Sequence, residues 1–181
     1  HPSDVEMGGD GALYVTDWHN TLIGHMQHNM RDPNRDHEHG RIYRVTQKGR
    51  EALKPRKMKG KPIAEVCETL FAIGNGDRYR ARLELTSRSA NEIVREVGAF
   101  AAKLDPAKAD KNHDEAQALL ECLWVFEEQR IPNLPLVEKV FKAAEPRVRA
   151  AAIRTLGHWA GKVDKWQGML LTAARDESAL V

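Results

Sequence analysis

The sequence predicts a mainly α fold in which tandem helix pairs follow a small antiparallel β-meander. Three observations carry this. A glycine-rich turn joins two short extended runs near the start, and a third such run follows a long polar loop. From Ile63 onward, apolar residues recur at helical spacing. Acidic helix openings then return at nearly constant intervals.

Asp4 to Met7 and Ala12 to Thr16 read as strands, separated by Gly8-Gly9-Asp10-Gly11, whose glycines permit the positive φ of a tight hairpin turn. Arg41 to Thr46 alternates Ile42, Tyr43, Arg44 and Val45, and supplies the third strand. A three-stranded meander of this size is not stable alone. It is expected to need neighbouring strands, and the chain, running from His1 to Ala179-Leu180-Val181, is expected to be a piece of a longer protein.

Residues 47–62, QKGREALKPRKMKGKP, are basic, broken by Gly and Pro, and read as a solvated linker between residues 1–46 and residues 63–181. Beyond it, Ile63, Val66, Cys67 and Leu70 share one helix face, as do Ile93, Val97, Phe100, Ala101 and Leu104. Ala116, Leu119, Leu120 and Leu123 form another face, and Val148, Ala152, Leu156 and Trp159 a fourth. Asp77, Asp114, Glu145 and Asp176 open helices 37, 31 and 31 residues apart. The expected pairs are 63–73 with 77–87, 91–104 with 114–128, 134–143 with 147–159, and 165–174 with a partner starting near Glu177. Asn91, Asn133 and Asp164 are placed as N-caps. Such a stack is elongated and offers an interaction surface.

Composition bounds the function. Hydrophobic residues make up 41% and charged residues 30%, a globular balance, and a net charge of +2 gives no reason to expect a nucleic-acid partner. No stretch has the apolar length of a membrane span, and no signal segment opens the chain. Cys67 and Cys122 each sit in an apolar helical pattern without a second ligand at metal spacing, and read as buried thiols.

The chemistry concentrates in the loop between the second and third strands, which holds His19, His25, His28, His37 and His39, five of eight histidines. His25 and His28 share a side of one helical turn, and His37 and His39 share a face of an extended segment. Either pair offers imidazole nitrogens to zinc, copper or iron, with Asp36 as a ligand or an orienter. His25 and His28 are also candidate proton acceptors, with Asp36 beside them as a candidate catalytic carboxylate. Trp18 at the strand end is a stacking wall for a ring-shaped cofactor or a core residue, and His19 and Asn20 are candidate cofactor contacts beside it. Structural hydrogen bonding that ties down a long loop is the competing role for all of these. Asp32, Asn34 and Asp36 alternate as in calcium loops, but the later Gly and Glu of that pattern are missing, and a Pro33-initiated turn accounts for them equally.

Two resemblances follow from quoted stretches. Glu145-Pro-Arg-Val-Arg-Ala-Ala-Ala-Ile-Arg-Thr-Leu-Gly resembles the second helix of a HEAT repeat, with Val148 and Ala152 inward and Arg149 reaching back. DVEMGGDGALYVTDWHNTLIGHMQHNMRDPNRDHEHGRIYRVT, continuing through the linker to RYRARLEL, resembles the closing β-propeller blade of bacterial PVC-type haem-binding CxxCH proteins, also described as membrane-bound dehydrogenases. The resemblance covers residues 4–90. It implies that residues 1–46 are a partial propeller blade and residues 63–181 HEAT-like repeats. Further blades and a cytochrome c domain would complete the parent, which would be a periplasmic or otherwise exported sugar or alcohol dehydrogenase. This chain has no CxxCH, so haem c would belong to missing parts of the parent. A divalent metal in the loop is the remaining cofactor expectation. The competing function is a non-catalytic scaffold whose repeats recruit a protein.

Overall fold

In the computed structural model, which describes residues 2–17, 33, 36, 38–110 and 113–181, the chain opens as a meander of β1 (Pro2–Met7), β2 (Leu13–Asp17) and β3 (Arg41–Val45). Both pairings are antiparallel, in the order β1-β2-β3. The turn is locked by Gly8 N–H on the Ala12 carbonyl at 2.9 Å and by Ala12 N–H on Asp10 Oδ1 at 3.1 Å, with Gly11 at φ 76°. Gly8 is required for a different reason. A Cβ there would meet the Tyr14 ring at 2.4 Å.

Register sorts the side chains onto two faces. Val5 pairs with Val15 and Val15 with Tyr43, while Met7 pairs with Leu13 and Leu13 with Val45, so six apolar side chains share one face. The other face carries Glu6, Tyr14 and Arg44 in one row, and Asp4, Thr16 and Ile42 in the next. Asp10 closes that polar face. Its carboxylate accepts Arg44 Nε at 2.8 Å and Tyr14 Oη at 3.0 Å. Together with the Ala12 amide, these donors hold its pKa down to about 2.

The described chain divides into two compact units, residues 1–56 and residues 57–181. The segment read as a linker is therefore shared. Leu53 N–H bonds the Asp10 carbonyl at 2.8 Å, whereas Met58 is buried in the helical core.

The second unit begins with α1 (Ile63–Cys67), continued by a 3-10 turn over Glu68–Phe71, and α2 (Asn75–Thr86). Next comes α3, a composite of Ala90–Glu92, a π-helical Ile93–Val97 and Gly98–Lys103. A two-residue hairpin, β4 (Ala109–Asp110) with β5 (His113–Asp114), leads into α4 (Glu115–Glu128). α5 (Leu134–Val140), α6 (Pro146–His158) and α7 (Trp166–Ala173) complete it.

The apolar faces named above converge on one core running from Met58 to Trp159, in which Leu70, Leu85, Ile93, Leu119, Leu123, Phe126 and Leu156 are almost wholly enclosed. Burying a side chain of this size is worth about 1.5 to 3 kcal/mol. Cys67 and Cys122 lie in this core as free thiols.

Two N-caps differ from expectation. The helix expected to start at Asn91 is capped one turn earlier by Ser89, whose hydroxyl accepts the Glu92 amide while Glu92 Oε2 accepts the Ser89 amide at 3.0 Å. This reciprocal box satisfies two backbone donors, more than Asn91 alone would. Asp164 caps nothing, because α7 starts one residue later at Lys165, in the left-handed region at φ 60°. Asn133 caps α5 through the Leu136 amide at 3.1 Å, and Asp114 caps α4 through the Gln117 amide at 2.9 Å.

Candidate functional site

The His-rich loop leaves β2 at Asp17 and re-enters the sheet at Arg41. Trp18, His19, Asn20, His25, His28, Asp32, Asn34 and His37 lie outside the described residues. Asp36 and His39 are described, and they form a pair. Asp36 Oδ1 lies 3.0 Å and Oδ2 3.2 Å from His39 Nδ1, and Oδ1 also accepts the amides of Glu38 and His39 at 3.1 Å each. The Glu38 amide, then the His39 ring and amide, hold the Asp36 carboxyl down to about 2. Asp36 is therefore an anion throughout the neutral range, and its charge is spent on orienting one imidazole.

Among the described residues, no group of three or more His, Cys, Asp or Glu side chains is gathered so that it could hold a metal ion. The described residues likewise contain no helix long and apolar enough to cross a membrane.

The helical unit holds polar clusters that spacing alone did not single out. Glu121, fully enclosed on α4, accepts Arg78 Nε at 2.8 Å, Gln117 Nε2 at 2.8 Å, and Arg82 Nη1. Arg82 in turn stacks over the Trp124 ring at 4.9 Å and the Tyr79 ring at 5.7 Å. The available signal was a single carboxylate inside the apolar run ALLECLWVF, since a buried charge requires partners. On the same helix, Glu127 binds His158 Nδ1 and accepts the Thr155 hydroxyl at 2.8 Å, tying α4 to α6.

Burial pushes the Cys67 thiol up to about 12 and the Cys122 thiol well above its ordinary value, so neither offers a thiolate nucleophile. A cavity of about 340 Å³ lies between α3 and α5, lined by Gly98, Ala101, Ala102, Asn133, Leu136 and Lys139. The Lys139 ammonium is already engaged there, donating to the Ala101 and Ala102 carbonyls at 2.8 Å each. Asn133 is committed to its cap.

Set against known proteins, the chain matches no curated protein and no solved structure. Residues 1–49, covering the sheet and the His-rich loop, are similar to a protein family whose model is described as a domain of unknown function, DUF7133.

Proposed function

We propose that the chain is part of an exported, multidomain, dehydrogenase-like protein. In this reading the sheet is one blade of a β-propeller, and the helices are HEAT-type repeats that set the distance to a cytochrome c domain of the parent. The observation that carries it is the uncovered apolar face of the sheet. Val5, Met7, Tyr43 and Val45 are 54, 56, 46 and 53% exposed on a face that register makes uniformly apolar. A sheet with such a face is built to be covered, and a propeller covers it by packing each blade on the next. The resemblance of residues 4–90 to the PVC-type haem-binding proteins points the same way.

The loop then contributes a metal, cofactor or substrate site, with His25, His28, His37 and His39 as ligands or proton acceptors and Asp36 orienting an imidazole. The parent would oxidise a sugar or an alcohol and pass electrons to haem c in its own missing parts, while this chain alone would not turn over. Metal analysis and dye-linked oxidation of sugars and alcohols by the full-length parent test the site. Changing His25 and His28 to Ala is expected to lower both. Unchanged metal content together with unchanged oxidation would remove it.

A second reading, a protein-binding scaffold, has its own support. Tyr79 and Leu83 are exposed on α2 beside Arg82 and Trp124, and Tyr, Trp and Arg are the residue types that dominate protein contacts. A parent that recruits a partner through α2 and shows no oxidation would favour it.

A further inference from the structure

We infer that His39 is a metal ligand through Nε2, that its cation is a divalent ion of borderline softness such as Zn2+, Cu2+ or Ni2+, and that Asp36 is a positioning residue outside the coordination shell. This rests on the loop reading above and narrows it to one atom and one class of ion.

A carboxylate is an acceptor only, so the ring nitrogen facing both Asp36 oxygens at 3.0 and 3.2 Å carries the proton. An imidazole protonated at Nδ1 keeps its lone pair on Nε2. Asp36 cannot swing away cheaply, because Oδ1 also holds the Glu38 and His39 amides, which lock the carboxylate to the backbone turn that presents the ring. The His39 side chain is 73% exposed, so solution ions reach it.

The donor types choose the ion. An oriented imidazole suits zinc, copper and nickel, whereas calcium seeks several oxygens, and here Oδ1 of the one described carboxylate already carries two amides and the ring. A carboxylate holding the remote nitrogen of a metal-binding histidine is a recurrent arrangement, and its loss typically weakens affinity 10- to 100-fold. One imidazole is a weak ligand alone. The other loop histidines therefore enter the test as separate arms.

The full 181-residue chain, labelled with 15N-histidine at pH 8, is titrated with Zn2+ and read by long-range 1H–15N correlation of the imidazoles. Before metal, His39 is expected to show a protonated Nδ1 and an unprotonated Nε2, and Zn2+ is expected to shift Nε2. Asp36→Asn should mix the tautomers and weaken binding about 10- to 100-fold, with partial recovery in Asp36→Glu, and His39→Ala should remove the His39 contribution. A proton on Nε2, or an Asp36→Asn variant with unchanged tautomer and affinity, overturns the inference. Zn2+ taken up by His25, His28 and His37 with His39 unmoved overturns it while leaving the loop a metal site. No Zn2+ uptake at all overturns both.

Discussion

Arg78 and Arg149 make the same set of contacts from equivalent helix positions. Each donates through Nη1 to the carbonyls six and five residues earlier, Ala72 and Ile73 for Arg78, Ala143 and Ala144 for Arg149. Each then turns its Nε to a carboxylate further along the chain, Glu121 at 2.8 Å and Asp176 at 2.9 Å. The guanidinium fork thus caps the end of the preceding helical segment and clips the next helix pair, two tasks that a lysine ammonium cannot combine. This recurrence within one chain supports reading the helices as repeats.

Because Glu121 is fully enclosed between Arg78 and Arg82, its removal leaves two guanidinium groups without their carboxylate. Glu121→Ala is expected to cost about 3 to 5 kcal/mol. Denaturant unfolding of the full chain, followed by helical circular dichroism, measures it, and a loss below about 1 kcal/mol would mean the pair behaves like a surface ion pair.

The acid limb of stability should trace to the sheet. Asp10 has an ordinary pKa of 3.8 that folding lowers to about 2, so the folded state favours its ionised form. Its contribution is present above pH 3.8 and disappears as pH falls through about 2. In Asp10→Asn, that part of the acid dependence should be absent. The Ala12 amide, which bonds Asp10, reports it by NMR across the same pH window.

Gly8→Ala should disturb the hairpin although Gly8 does not occupy the left-handed region. The new methyl would lie 2.4 Å from one Tyr14 ring carbon and 2.7 Å from Asp10 Oδ1, so the ring must leave its place. The expected cost is about 1 to 3 kcal/mol, with loss of the Tyr14 to Asp10 hydrogen bond visible in the Tyr14 hydroxyl and ring resonances.

The thiols should be silent in the native chain. With Cys67 held up to about 12 and both residues in the core, aromatic disulfide reagents are expected to react only after unfolding. Rapid native labelling of either would show that the α1 to α4 packing opens readily.

Much of the architecture was legible in the sequence because it rests on periodicity. The glycine turn, the alternation at Ile42 to Val45 and the apolar faces from Ile63 to Leu156 each follow from spacing and burial alone. The details that escaped depend on tertiary competition. Ser89 displaced Asn91 because Glu92 completes a reciprocal box, and Glu121 became a hub because Arg78 and Arg82 of another helix reach it. In the loop, sequence indicated the residue types, but only the Asp36 to His39 geometry names a nitrogen.

The uncovered sheet face gives the account its most direct test. Met7 is 56% exposed on that face, so its oxidation by dilute peroxide, quantified by mass spectrometry, reports whether the face is covered. The account predicts rapid oxidation of Met7 in the 181-residue chain and at least about tenfold slower oxidation in the full-length parent, where neighbouring blades would bury it. Equal oxidation rates in the two would contradict the propeller reading.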